Sequence, residues 1–441
     1  MPGVWQDCVR VRAGIPRCPG LPGLGAQGDR QSQAVYRGRV RVAQPSVVFQ
    51  LARFGDILQT GRLMASLPPG AVLVVDRGVA ELARLAYPGV HVLELPVHGK
   101  SPGAWSLVRR AVATLQALDP AEVYLLNYSG LSAALAAAFP AERLRAYGGV
   151  GGSLRVPPWF SLLIRWAQER RNGGLNLVDA WGLLAREPAA PAAVHPPAQP
   201  RGRTLGVVLA GQNPRRSLPT PVLAAWIGAA LSRFGGTDVV LLGASGQERL
   251  AAELMAALPA ALGRSTRNLV GRTGWRQLWE IVAGCGLVLS PDTGVAHMAA
   301  RLGVPVLGAY LASAWVHETG PYGEGHVVVQ SVLPCSPCLE TAVCPTPGAC
   351  LAPLAQRETI RWIARGEGAL PSGVVALHSG MDALGVYYHP VAGEDPTEAG
   401  RQAFRSQVAA LWGLGAPGRG GCTWMTEKDW VLPGGVGGQY A

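Results

Sequence analysis

Residues Leu287 to Tyr310 read LVLSPDTGVAHMAARLGVPVLGAY. The pattern is strand, turn, helix, strand. Leu287 to Leu289 continue a short apolar run of the kind a buried strand shows. Asp292, Thr293 and Gly294 make the turn. Val295 to Leu302 are rich in Ala and Met, with Arg301 in the last helical turn and Gly303 where a left-handed C-cap is expected. Val304 to Tyr310 is again apolar and partly β-branched. Such a unit sets an acid, a hydroxyl and a glycine at the carboxyl end of a strand, where a helix begins. Open α/β sheets bind ligands at that edge. The unpaired N–H groups and positive dipole of the helix start suit a phosphate. An ordinary crossover with a polar N-cap reads the same way.

Working outward, 441 residues suggest two or three domains. With 49% hydrophobic and 15% charged residues, the composition suits large buried sheets and argues against global disorder. No stretch of about 18 residues is free of charge and Pro, so no transmembrane helix is expected. No apolar signal-peptide core precedes Ser46, so secretion is not expected. Net charge is +11, carried almost wholly by Arg; Lys100 and Lys428 are the only lysines. Arginine favours bidentate contact with phosphate and carboxylate, so nucleotides, lipid phosphates and an anionic membrane surface fit as partners. No nucleic-acid-binding module is recognisable. Of eight cysteines, four cluster as Cys335, Cys338, Cys344 and Cys350. Cys335-x2-Cys338 is zinc-like, but the later spacings are not. Structural metal, a disulfide pair and plain loop thiols remain open.

Residues 1–45 are rich in Gly, Arg, Gln and Pro without period, and read as a disordered or non-native extension. Over 46–187, strands alternate with helices: Val47 to Leu51, a Gly55-Asp56 loop, a helix Ile57 to Leu67, then further strands including Glu122 to Ser129. That alternation implies a parallel sheet. Residues 188–203, PAAPAAVHPPAQPRGR, read as a semi-rigid linker. A second α/β series fills 204–365 and contains the opening stretch. Residues 366–441 form an extension, partly disordered, with VVALHS and GVYYHP as strand candidates and Thr397 to Trp412 as a helix. Two doubly wound domains place a cleft between them, with both sets of strand ends facing it.

At this point the chain resembles glycosyltransferase family 9, the bacterial heptosyltransferases of lipopolysaccharide core assembly. Arg53-Phe-Gly-Asp-Ile-Leu-Gln-Thr60 is similar to that family's Gly-Asp loop. Leu209-Ala-Gly-Gln-Asn-Pro-Arg-Arg-Ser-Leu-Pro219 is similar to its loop after the first strand of the second domain. Ser290-Pro-Asp-Thr-Gly-Val-Ala-His297, Leu302-Gly-Val-Pro305 and Thr319-Gly-Pro-Tyr-Gly323 resemble its most recognisable signature. The likeness spans about Ser46 to Arg365. It implies a GT-B fold of two Rossmann-like domains and an inverting, metal-independent sugar transfer. The implied donor is a nucleotide sugar, usually ADP-heptose, and the implied acceptor is an anionic glycolipid. A cytoplasmic monomer peripheral to the inner membrane is expected, with no nucleic-acid partner and no required cofactor.

Inverting transfer needs a base on the acceptor hydroxyl and stabilisation of a departing nucleoside diphosphate. The resemblance assigns the base to Asp56, which by its residues alone reads sooner as a helix N-cap. It assigns the donor to Arg216, with Arg215 as rival, and to Glu248, Asp292, Thr293, Gly294 and His297. Arg216 stands where many heptosyltransferases carry Lys, and Leu218 where they often carry Trp. Arg53, Lys100 and Arg109 are expected to meet acceptor phosphates or carboxylates. Alternative readings are an epimerase-like nucleotide-sugar enzyme of the same fold, a non-catalytic glycan- or nucleotide-binding protein, or a metal module built on the cysteines.

Overall fold

The computed structural model describes residues 44–98, 103–127, 129–146, 149–150, 153–154, 159, 163, 166, 170–211, 214–338 and 342–414. The extension read over residues 1–45 lies outside them except for its last two residues. Lys100 and the tail beyond residue 414 also lie outside.

The first sheet contains β1 (Ser46–Gln50), β2 (Val72–Asp76), β3 (His91–Leu95), β4 (Glu122–Leu125) and β5 (Leu144–Ala146), in the order β3-β2-β1-β4-β5. Every pairing is parallel. β1 is buried on both faces, as its continuous apolar run requires. Val47 and Phe49 pack beneath Val108 and Leu115 of one helix layer, while Val48 packs with Ile57, Leu58 and Leu63 on the other. After β1 the chain forms α1 (Phe54–Gln59) and α2 (Gly61–Ser66). The single helix expected over Ile57 to Leu67 is therefore broken. The Thr60 hydroxyl donates to the Asp56 carbonyl at 2.8 Å, the back-bonding that interrupts short helices. α3 (Ala104–Ala117) covers one face of the sheet, and α4 (Leu177–Gly182) closes this half.

The second sheet runs β8-β7-β6-β9-β10-β11-β12-β13, from β6 (Thr204–Val208), β7 (Asp238–Leu242), β8 (Thr266–Asn268), β9 (Cys285–Ser290), β10 (Val306–Tyr310), β11 (Val327–Ser331), β12 (Val374–Met381) and β13 (Val386–Gly393). Pairings from β8 to β11 are parallel; β12 and β13 add on antiparallel. The sheet thus continues past residue 365, through both strand candidates of the extension. Its helices include α5 (Glu248–Ala257), α6 (Gly294–Arg301), α7 (Val316–Thr319) and α8 (Glu398–Leu411). α6 ends at Gly303 with φ +70°, the expected left-handed cap. α8 returns to the first half: buried Phe404 meets Trp166 edge-on, with ring centroids 4.7 Å apart.

The Pro-rich segment 188–203, read as a semi-rigid linker, is held by backbone bonds. Val194 and His195 are buried, and Ala198 and Gln199 donate backbone N–H groups to Glu324 O and Gly303 O at 2.9 Å each. One apolar cluster runs through both halves, joining Leu73 and Ile57 to Ala296, Ala299 and Val288. The two halves therefore share a core at the edge where both sets of strands end.

Candidate active site

Two helix starts meet at that shared edge. A Cβ on Gly55, in α1, would stand 3.2 Å from both Gly294 Cα and His297 Cδ2 of α6. A Cβ on Gly294 would fall within 2.4 Å of the Phe54 ring, so only glycine fits there. The Phe54 ring in turn packs on Trp275, centroids 5.1 Å apart. These contacts bring Asp56 and the opening stretch together.

Asp56 is not an N-cap. Arg53 holds that position, and Asp56 lies at the third residue of the first turn. Its Oδ2 accepts from the Arg53 backbone N–H at 3.1 Å, half of a capping box. Burial pushes its pKa up from 3.8 to about 6. The hydrogen bond and charge of Arg53 oppose that rise, and the Asp292 charge adds to it. A carboxylate poised near 6 is ionised at neutral pH and still basic enough to take a proton. Gln50, buried at the end of β1, fixes the turn from below. Its amide lies 3.3 Å from the Thr60 hydroxyl and accepts at 2.6 Å from Asn127, whose own oxygen takes the Leu51 N–H at 2.6 Å. Neither amide was singled out in the sequence. A glutamine closing an all-apolar strand was the available signal.

Across the cleft, Asp292 is buried and its Oδ2 accepts from Arg216 and, at 2.9 Å, from the Thr319 hydroxyl. His297 Nε2 stands 3.7 Å from Asp292 Oδ1. Burial holds the His297 pKa below its usual value; Asp292 opposes this and Arg216 assists it. At neutral pH the ring is thus uncharged, with one N–H to donate. Thr293 caps α6 only by backbone, its hydroxyl being shared with Ser290 Oγ at 2.9 Å. The first-turn amides are thus left uncapped by any side chain, in the arrangement that receives anions. Gly211, after β6, lies over the same point, and a Cβ there would sit 3.6 Å from Arg216 Cβ and 4.0 Å from Thr293 Cγ2.

Adjacent arginines diverge. Arg216 turns to Asp292, whereas Arg215 donates to Ala342 O at 2.8 Å and Cys338 Sγ at 3.3 Å. The rival for the phosphate role therefore faces the cysteine loop. Glu248 opens α5 at the same sheet edge, accepting from Gly246 N–H at 2.8 Å. It follows β7, two strands from β9, and its Oε1 would lie 2.8 Å from a Cβ on Gly271. Arg53 and Arg109 are exposed on the first half. Thr319 sits inside a motif quoted above, yet its bond to Asp292 needed the fold to show it. Its neighbour Glu318 is held by a fork from Arg170 at 2.7 to 2.9 Å.

Among the described residues, no three His, Cys, Asp or Glu side chains are placed to hold a metal ion together. Cys335, Cys338, Cys344 and Cys350 instead line a cavity of about 450 Å³ with Arg215 and Leu218. Burial raises the Cys350 thiol pKa, which argues against a thiolate nucleophile.

Residues 226–346 match the profile of glycosyltransferase family 9 (heptosyltransferase). Lipooligosaccharide heptosyltransferase 2 of Haemophilus influenzae is 32% identical over 75 residues, covering 17% of this chain and 22% of that protein. The chain thus spans about a fifth of the length of this curated relative. The solved E. coli ADP-heptose LPS heptosyltransferase II superposes with a TM-score of 0.50 at 18% identity, over 65% of this chain and 91% of that one. A family 9 glycosyl transferase from Veillonella parvula gives 0.50 at 14% identity, over 65% and 85%. The two-domain GT-B architecture is therefore shared, and the resemblance to glycosyltransferase family 9 holds, carried in sequence by residues 226–346.

Proposed function

We propose that the chain is an inverting, metal-independent glycosyltransferase. It moves a heptose-type sugar from a nucleotide sugar, ADP-heptose, to a lipopolysaccharide-core or related glycolipid acceptor. The observation that carries this reading is the meeting of Asp56 with the start of α6 across Gly55 and Gly294. It sets a base opposite a diphosphate cradle. The α6 amides, the neutral His297 and the Arg216 guanidinium receive the leaving diphosphate, supplying in protein dipoles what a metal supplies elsewhere. Asp292 orients Arg216 and offsets part of its charge. Glu248, at the start of α5, takes the nucleoside ribose hydroxyls. Asp56 takes the acceptor proton as the glycosidic bond forms. Arg53, Lys100 and Arg109 serve the anionic acceptor. The first half, residues 46–187, binds the acceptor, and residues 204–365 bind the donor.

The test is Asp56→Ala with ADP-heptose and a deacylated core acceptor. Turnover is expected to fall about 10²–10⁴-fold while the melting shift produced by ADP is retained. Unchanged turnover would remove Asp56 from the reaction. Loss of the ADP shift in the unaltered protein would sink the donor assignment. Transfer in excess chelator is expected to match transfer without it, which tests the metal-independent route.

A further inference from the structure

Arg170 belongs to the first half but directs its guanidinium at the second. Its Nε lies 2.9 Å from both Glu318 carboxylate oxygens, and one terminal nitrogen donates to Oε2 at 2.7 Å. The same guanidinium donates to Ser313 O at 2.9 Å and to Cys338 O at 3.3 Å. A planar fork engaged on one carboxylate and two carbonyls is held in a single orientation, which a Lys ammonium would not copy. The chain around Arg170 is itself fixed. Trp166 is buried against Phe404, and Asn176 donates its amide to Gly320 O at 3.1 Å while its oxygen caps α4. The short helix α7 is thus gripped from the first half twice, at Glu318 within it and at Gly320 just after it.

The last residue of α7 is Thr319. Its hydroxyl donates to Asp292 Oδ2 at 2.9 Å, and its carbonyl accepts from the Tyr310 hydroxyl at 3.1 Å. The same Asp292 oxygen accepts from Arg216. One line of contacts therefore runs from Arg170 through Glu318, Thr319 and Asp292 to the Arg216 guanidinium. Burial raises the Glu318 pKa, the hydrogen bonds and charge of Arg170 oppose that rise, and the Asp292 charge adds to it. The two carboxylates are thus close enough to repel, and without the fork Glu318 would compete with Asp292 for Arg216. We infer that Arg170 is a positioning residue for the donor cradle, fixing the aim of Arg216 from the opposite half through Glu318, Thr319 and Asp292. The inference rests on the reading of Arg216 as a diphosphate ligand, and it makes the packing of the two halves a condition of holding the donor.

The experiment reads two signals in the full chain. One is the Nε–Hε resonance of Arg216 without ligand, identified by its loss in Arg216→Lys. The other is ADP affinity by calorimetry. R170Q keeps a polar side chain and removes the fork. It is expected to move the Arg216 resonance and to weaken ADP binding about threefold to tenfold, the scale of coupling within one network. Thr319→Val, which leaves Arg170 in place, is expected to do the same. Adding R170Q to Asp292→Asn is expected to remove no further affinity, because the line is already cut. Arg171→Gln is the neighbouring control. The Arg171 guanidinium goes to Ser336 O at 2.7 Å and Leu333 O at 2.6 Å, so both signals should stay in place. A merely structural Arg170 would lower the melting temperature and leave resonance and affinity unmoved, and that result overturns the inference. So does a loss in R170Q that multiplies the loss in Asp292→Asn, or an Arg171→Gln that acts like R170Q. A resonance that moves in R170Q while ADP fails to bind the unaltered protein would sink the donor reading and leave the line of contacts standing. ADP binding by the unaltered protein with a resonance unmoved in R170Q would do the reverse.

Discussion

Among the described residues, two Arg–Asp pairs of low exposure that join distant parts of the chain are built differently. Arg62 and Asp179 are 2% and 0% exposed. Asp179 Oδ1 accepts from Arg62 and from the Tyr322 hydroxyl, each at 2.7 Å, and its Oδ2 takes the Val386 N–H at 3.0 Å. Arg62 also donates to Ala189 O and Leu384 O. This pair ties α2, α4, the linker and β13 into one body. The second pair, Arg216 and Asp292, lies in the cleft at 14% and 7% exposure. Here the bonds converge on Asp292 Oδ2, while Oδ1 stands 3.7 Å from His297. The first pair holds the fold. The Arg216–Asp292 pair lies beside the start of α6, which no side chain caps.

Truncating Arg62 should give the largest effect. Arg62→Ala leaves Asp179 buried without its cation, and a broken buried pair costs about 3–5 kcal/mol. A melting temperature near that of the unaltered protein would show that the pair does not hold the fold. Next comes Gly294→Ala, which forces a methyl into the Phe54 ring. Overpacking of this kind costs about 1–3 kcal/mol, and turnover should fall further than melting temperature because the two helix starts are pushed apart. Arg216→Lys should be milder for stability, since charge is kept, but should weaken ADP binding about tenfold through loss of the planar fork. Arg215→Lys is the paired control. It should leave ADP binding unchanged and disturb only the cysteine loop. If both substitutions act alike, the division of labour between neighbouring arginines is wrong.

Much of this was legible in the sequence because apolar runs and glycine punctuation are local. The strand–turn–helix–strand at Leu287 to Tyr310 was readable to within two residues, and so was its Gly303 cap. The two-domain α/β architecture followed from alternation alone. What could not be read was pairing across distance. Arg62 and Asp179 are 117 residues apart, and nothing in either neighbourhood names the other. Thr60 looked like an ordinary helical position, because a hydroxyl bonding back four residues leaves no mark in the pattern. The proline-rich linker reads as semi-rigid from composition, which does not report the backbone bonds that Glu324 and Gly303 supply. Resemblance alone favours Arg216 over Arg215; the physical difference lies in which distant group each one faces.

The smallest expected effect tests the link between the two sides of the cleft. Burial raises the Asp56 pKa to about 6, and the reaction needs its ionised form. As pH falls through 6 the carboxylate takes up a proton, so kcat/KM should fall on the acid side with a limb near that value. Part of the rise in Asp56 comes from the charge of Asp292 across the cleft, the last of the influences acting on it. Asp292→Asn removes that charge and releases the Arg216 cation from its partner. Both changes favour the Asp56 carboxylate, so both shift its pKa in the same direction, downward. The acid limb should therefore move to lower pH by a fraction of a unit, while the maximal rate falls because Arg216 is no longer aimed. A limb that stays in place would mean that the two carboxylates do not sense each other, and that the base and the phosphate cradle act as separate sites.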